Sequence, residues 1–161
     1  MILTGCGGAG FALVASYRYQ QQSLQQLLCA VEYMICDLQY RMTPLPELCE
    51  NTSQAVTGCV SKVLLQLHTE LEKQVIPNAA ACMHVTLTQH GYLPDRLKKG
   101  LDLLGTTLGL FDLQGQLQGL ESVKKHTEYE IDQLRRNQDM RLRNYRTIGI
   151  CAGAALVIFL L

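Results

Sequence analysis

Every charged side chain of this sequence lies between Arg18 and Arg146, so a middle that holds all the charge is bracketed by two runs, 1–17 and 147–161, that hold none. That division constrains the fold more than any motif does, because apolar ends must leave water, either for a bilayer or for protein. The first run, MILTGCGGAGFALVASY, places small residues four apart: Gly5 with Ala9, Gly8 with Ala12, Ala12 with Ser16. The second, TIGICAGAALVIFLL, repeats the spacing with Gly149 and Gly153. In a membrane helix such pairs let a neighbouring backbone approach closely. Both runs are short beside the about 20 residues of a membrane span. Local thinning of the bilayer, or outward snorkelling of Arg143 and Arg146, meets that mismatch. The pattern predicts membrane-inserting segments at 1–17 and 147–161, flanked by Arg18, Arg143 and Arg146, around a domain at 18–146. A buried helix of a soluble protein is the competing reading, and the symmetry of the two ends counts against it.

Gly5, Gly7 and Gly10 spell G-x-G-x-x-G, the spacing of a dinucleotide-binding turn. Such a turn needs a buried strand before it, a helix after it and an acidic residue about 20 positions on. Only Met1 to Thr4 precede the first glycine, and Glu32 falls within a helical pattern rather than on a second strand. No alternation of strand and helix follows. The Leu3-Thr4-Gly5-Cys6 stretch resembles a lipoprotein cleavage box but has almost nothing before it, and a cleaved signal peptide wants a basic leader.

The 14 basic and 14 acidic residues cancel, and Trp is absent, which argues against a nucleic-acid partner. None of the seven cysteines forms a C-x-x-C pair, so neither a zinc ribbon nor a thioredoxin motif is supported. They read as reduced thiols packed as small hydrophobes, with Cys29 and Cys36 flanking the first stripe.

The middle reads as helices throughout. Leu24, Leu27, Leu28, Val31, Met34, Ile35 and Leu38 repeat at helical spacing in a helix that continues from the first apolar run to about Met42. In RMTPLPEL, Thr43 can cap the next helix, Pro44 suits its first position and Glu47 its first turn. That helix ends near Ala55. Val60, Val63, Leu64, Leu67, Leu71 and Val75 form a third face, closed by Pro77. Asn78 can cap a fourth helix from Ala79 to His90, although HVTLTQ alternates like an edge strand. Leu97, Leu101, Leu104 and Leu108 make a fifth. Leu113, Leu117, Leu120, Ile131 and Leu134 carry a last helix through the charged 121–146 region toward the second apolar run. The fold class is therefore all-α, an antiparallel six-helix bundle with membrane-inserting ends.

Catalytic motifs are missing: there is no P-loop, no H-E-x-x-H and no G-x-S-x-G. His68, His84, His90 and His126 are scattered, and the run Glu128, Glu130, Asp132, Arg135, Arg136 reads as a solvated helix face. No cofactor, metal or small-molecule substrate is expected. The informative stretch is LGTTLGLFDLQGQ. Glycine costs about 1 kcal/mol inside a helix, so Gly105 and Gly109 together point to close helix packing or a docking notch. Asp112 can cap the final helix through an amide two or three residues on.

Thr43-Pro44-Leu45-Pro46-Glu47, and Leu104 through Asp112 followed by Gln116, together with the layout of the whole chain, resemble the stage III sporulation protein AB family of endospore-forming bacteria. The resemblance implies kinship with the cytoplasmic domain of the inner-membrane platform of type II secretion and type IV pilus machines. It also implies a non-enzymatic adaptor in a channel complex between mother cell and forespore. Its implied partners are the ATPase of the same operon (stage III sporulation protein AA), other membrane proteins of the complex, and lipid. Candidate helix-packing or docking residues are Thr43, Pro44, Glu47, Gly105, Gly109, Asp112 and Gln116. A small membrane-bound redox or nucleotide-binding enzyme using the glycine fingerprint is the alternative. Because positive residues stay in the cytoplasm, Arg18, Arg141, Arg143 and Arg146 predict a cytoplasmic domain with both termini on the far side of the membrane, and the resemblance implies that the membrane is that of the mother cell around the forespore.

Overall fold

The computed structural model describes the backbone of residues 3–73, 78–108 and 112–160, and the side chains of residues 16–73, 78–108 and 112–137. The helical stripes become six helices: α1 Leu3–Tyr40, α2 Leu45–Ala55, α3 Gly58–Glu72, α4 Ala79–Gln89, α5 Asp95–Leu108 and α6 Leu113–Leu160. There is no strand among the described residues. The helices alternate in direction, and α1 packs on α6, α2, α3 and α5. The core is where the stripes meet. Leu27, Val31 and Met34 of α1, Val63, Leu64 and Leu67 of α3, and Leu97, Leu101 and Leu104 of α5 are wholly buried, as are Leu120 and Val123 of α6. Each such side chain contributes roughly 1.5–3 kcal/mol by leaving water. Val75 and Gly109 lie outside the described residues.

The alternating HVTLTQ stretch is helical because its buried positions continue those of α4: Ala79, Cys82, Met83 and Thr86 follow 3-4 spacing. Thr86 can be buried there because its hydroxyl donates to the Cys82 carbonyl at 2.9 Å. Asn78 caps α4, its side-chain oxygen accepting from the Ala80 amide at 3.0 Å. Thr43 does not cap α2. The N-cap is Pro44, no side chain bonds the free amides, and Leu45 opens the helix. Pro46 in the first turn has no amide to satisfy, which reduces the need for a cap.

Two helix-to-helix ion pairs hold α6 in place. Lys124 Nζ lies 2.9 Å from Glu32 on α1, and Arg96 of α5 lies 2.5 Å from Glu130. Glu130 therefore belongs to the packing of α5 on α6, while its neighbours Glu128, Asp132, Arg135 and Arg136 are exposed as the charge run suggested.

One expectation about the cysteines is corrected. Cys29 and Cys36 are exposed, whereas Cys49, Cys59 and Cys82 are buried. The two that flank the first stripe face solvent instead of packing as small hydrophobes. Gly5, Gly7 and Gly10 stand inside the continuous helix α1, so the strand-turn-helix of a dinucleotide site does not form around them. No helix among the described residues is long and apolar enough to cross a membrane, so the structure does not support the membrane-inserting ends. The side chains of 1–15 and 138–161, including Arg143 and Arg146, lie outside the described residues.

Candidate functional site

The two stretches singled out in the sequence meet at one end of the bundle. Arg41 and Met42 amides both donate to the Asp37 carbonyl, at 2.8 and 3.2 Å, and Met42 takes a left-handed φ of 53°. This ends α1 without a glycine, at a cost of about 1 kcal/mol for a side chain in that region. The strained turn leaves Tyr40 and Met42 85% and 68% exposed. Next to it, Leu38, Met42, Thr43, Leu45 and Leu48 face Leu113 and Gln116 of α6 across a groove of about 260 Å³. Thr43 and Gln116 are thus brought together. Pro44 and Glu47 are exposed beside them.

Gln116 is tied to the end of α5 through its side-chain amide, which donates to the Leu108 carbonyl at 3.4 Å. Asp112 starts α6: its Oδ2 accepts from the Gly115 amide at 2.6 Å. The carboxylate sits so close that a Cβ at position 115 would stand 2.6 Å from Oδ1. Gly119 likewise lies against the Thr107 side chain. Gly105 is not in the groove. It is buried under α4, where a Cβ would stand 2.5 Å from Met83 Cβ and 2.7 Å from Met83 Cγ. Its work is to let α5 approach α4 closely.

Charge at this end is mostly negative. Glu47 and Asp112 are exposed, and Asp37 is buried with its Oδ2 unpartnered and its Oδ1 3.9 Å from the exposed Arg41. A buried carboxylate without full pairing costs stability. Sequence periodicity missed Asp37, although a carboxylate beside Leu38 on an apolar stripe was the available signal. His68 joins α3 to the same end: its Nδ1–H donates to the Pro46 carbonyl at 2.9 Å. Burial pushes the Cys49 thiol, next to groove-lining Leu48, up to about 12.

Among the described residues no group of His, Cys, Asp or Glu side chains could hold a metal ion. Five of the seven residues lining the groove are apolar, its exposed surface is about as polar as it is apolar, and Glu47 and Asp112 are exposed near it, a mixed character that suits a protein segment. At the opposite end, Arg18 follows the first apolar run and is exposed on α1.

The stage III sporulation protein AB family model matches residues 1–161. A solved structure titled "Stage III sporulation protein AB (SpoIIIAB)" has the same fold at TM-score 0.67, with 19% identity over 76% of this chain and 98% of that one. No curated protein matches. The helical stripes, the Thr43–Glu47 turn and the Gly105–Gln116 segment thus sit within a match that runs the length of the sequence, and the chain belongs to the stage III sporulation protein AB family.

Proposed function

We propose that this sporulation protein is a non-enzymatic membrane platform of the channel complex between mother cell and forespore. It couples the ATPase of the same operon, stage III sporulation protein AA, to the other membrane proteins of the complex. Its apolar ends enter the mother-cell membrane around the forespore, and its bundle faces the mother-cell cytoplasm. One observation carries this reading: α1 and α6 are antiparallel neighbours, Gln39 lying by Leu117, Glu32 by Lys124 and Leu28 by Ile131, so the chain enters and leaves the bundle at one end and presents the Thr43–Gln116 groove at the other. A domain held at one end and grooved at the other has the geometry of an adaptor. Gly5, Gly7 and Gly10 lie within helix α1, which supports the non-enzymatic reading over the dinucleotide-binding alternative.

The test is recovery of the ATPase on tagged full-length chain from sporulating cells. Wild type should retain it, and Met42→Asp combined with Leu113→Asp should lose it while keeping a helical far-UV spectrum. Equal recovery by both would move the docking site elsewhere, and no recovery by wild type would remove the coupling role.

A further inference from the structure

The end of the bundle at which the chain enters and leaves has a surface of its own. The α4–α5 loop lies there, and its Tyr92 is 62% exposed on a backbone that is held firmly. Tyr92 donates to His90 Nδ1 at 3.0 Å, its ring stands edge-on to His90 at 5.6 Å, and His90 Nε2–H donates to Gln66 Oε1 at 2.7 Å. Lys98 closes the loop from the other side by donating to the Gly91 carbonyl at 3.0 Å. Tyr19 of α1 is 44% exposed at the same corner. Its phenol is pushed above its ordinary value, first by the hydrogen bond with Cys59 and then by burial, and Tyr92 adds to the shift. Around these tyrosines the exposed charges are mainly positive: Arg18, Lys62, Lys99, Arg135 and Arg136, against Asp95, Glu128 and Asp132.

Tyr19 is two positions beyond the first apolar run, so insertion of that run brings it to the headgroup level. Tyrosine favours that level because its ring is apolar and its hydroxyl is wet, and cations there meet lipid phosphates.

We propose that this end of the bundle is a lipid-contact surface, with Tyr92 and Tyr19 at the headgroup level of an anionic bilayer and Arg18, Lys62, Lys99 and Arg135 against its phosphates. The inference rests on the membrane insertion proposed above and adds a second site of attachment, made by the folded domain. It orients the bundle upright, so that the Thr43–Gln116 groove points away from the membrane.

The chain contains no tryptophan, so Tyr92→Trp installs a single reporter in the full-length protein. Tyr40→Trp, at the other end and 85% exposed, is the control. Both are reconstituted into vesicles of phosphatidylcholine and phosphatidylglycerol containing lipid brominated near the headgroup. The reporter at 92 should lose about half its emission and shift to the blue, as interfacial tryptophan does, with little change at 40. Replacing phosphatidylglycerol by phosphatidylcholine, or introducing Lys62→Glu and Lys99→Glu, should reduce the quenching at 92. Equal quenching at 92 and 40, or none at 92 in protein that floats with the vesicles, overturns the lipid-contact surface and leaves insertion standing. Protein that does not float overturns both.

Discussion

The two ends of the bundle are built from the same kind of helix-to-helix connection and have opposite surfaces. At the end where the chain enters and leaves, the α4–α5 loop is fixed by Tyr92, His90 and Lys98, and the exposed charges around it are mainly basic. At the other end a left-handed Met42 and an Asp112 cap flank a groove of mixed polar and apolar surface, with Glu47 and Asp112 exposed near it. A net charge of zero conceals this polarity. The contrast teaches that neutrality of the whole chain says little about its partners, because fields act over about 10 Å at moderate salt and each end is read locally.

The comparison can be broken most forcefully by pH. The Cys49 thiol ionises at about 9 in the unfolded chain and only at about 12 in the bundle, so the folded state holds the proton that the unfolded state loses. Its contribution is intact below pH 9 and falls as pH rises from 9 to 12, by up to roughly 4 kcal/mol at 1.36 kcal/mol per unit. Cys49→Ala should flatten the alkaline limb of a denaturant-midpoint profile. An unchanged slope would remove Cys49 as the alkaline weak point beside the groove.

Next in size is Gly105→Leu. The obstructing atoms are Met83 Cβ and Cγ, close to the α4 backbone and unable to swing away. The expected loss is about 1–3 kcal/mol. Gly100→Ala meets only the end of Leu27 and should cost less. Chemical denaturation of both variants sharpens the comparison, and a smaller loss at 105 than at 100 would contradict the close α4–α5 approach.

The smallest effect concerns the cap. Asp112→Ala should cost about 1 kcal/mol, whereas Asp112→Asn, which keeps an acceptor for the Gly115 amide, should cost only a few tenths. Thermal melts distinguish the two, and equal losses would mean that the charge matters more than the hydrogen bond.

Much of this was legible in the sequence where the controlling interaction is local. The stripes through Leu24–Leu38, Val60–Leu67 and Leu97–Leu108 foretold the buried faces because periodicity and burial are tied by helix geometry. The Asp112 cap was legible for the same reason, since donor and acceptor lie three residues apart. Thr43 was misread because a capping residue type does not guarantee the cap geometry, and Pro44 took the position. Cys29 and Cys36 were misread because a residue at the edge of a stripe turns to solvent or core according to which helix covers it.

The sequence by itself determined that the chain is helical, that its charge is confined to residues 18–146, and that its glycines would allow tight approaches. Those properties depend on residue type and on neighbours within a turn or two. Only the tertiary structure decided that Gly105 lies against Met83, that Thr43 and Gln116 share a groove, and that Tyr19 and Tyr92 stand at the opposite corner. Each of these joins residues far apart in the chain, and such pairs are set by how amphipathic faces dock around a common core, a choice that no local pattern encodes.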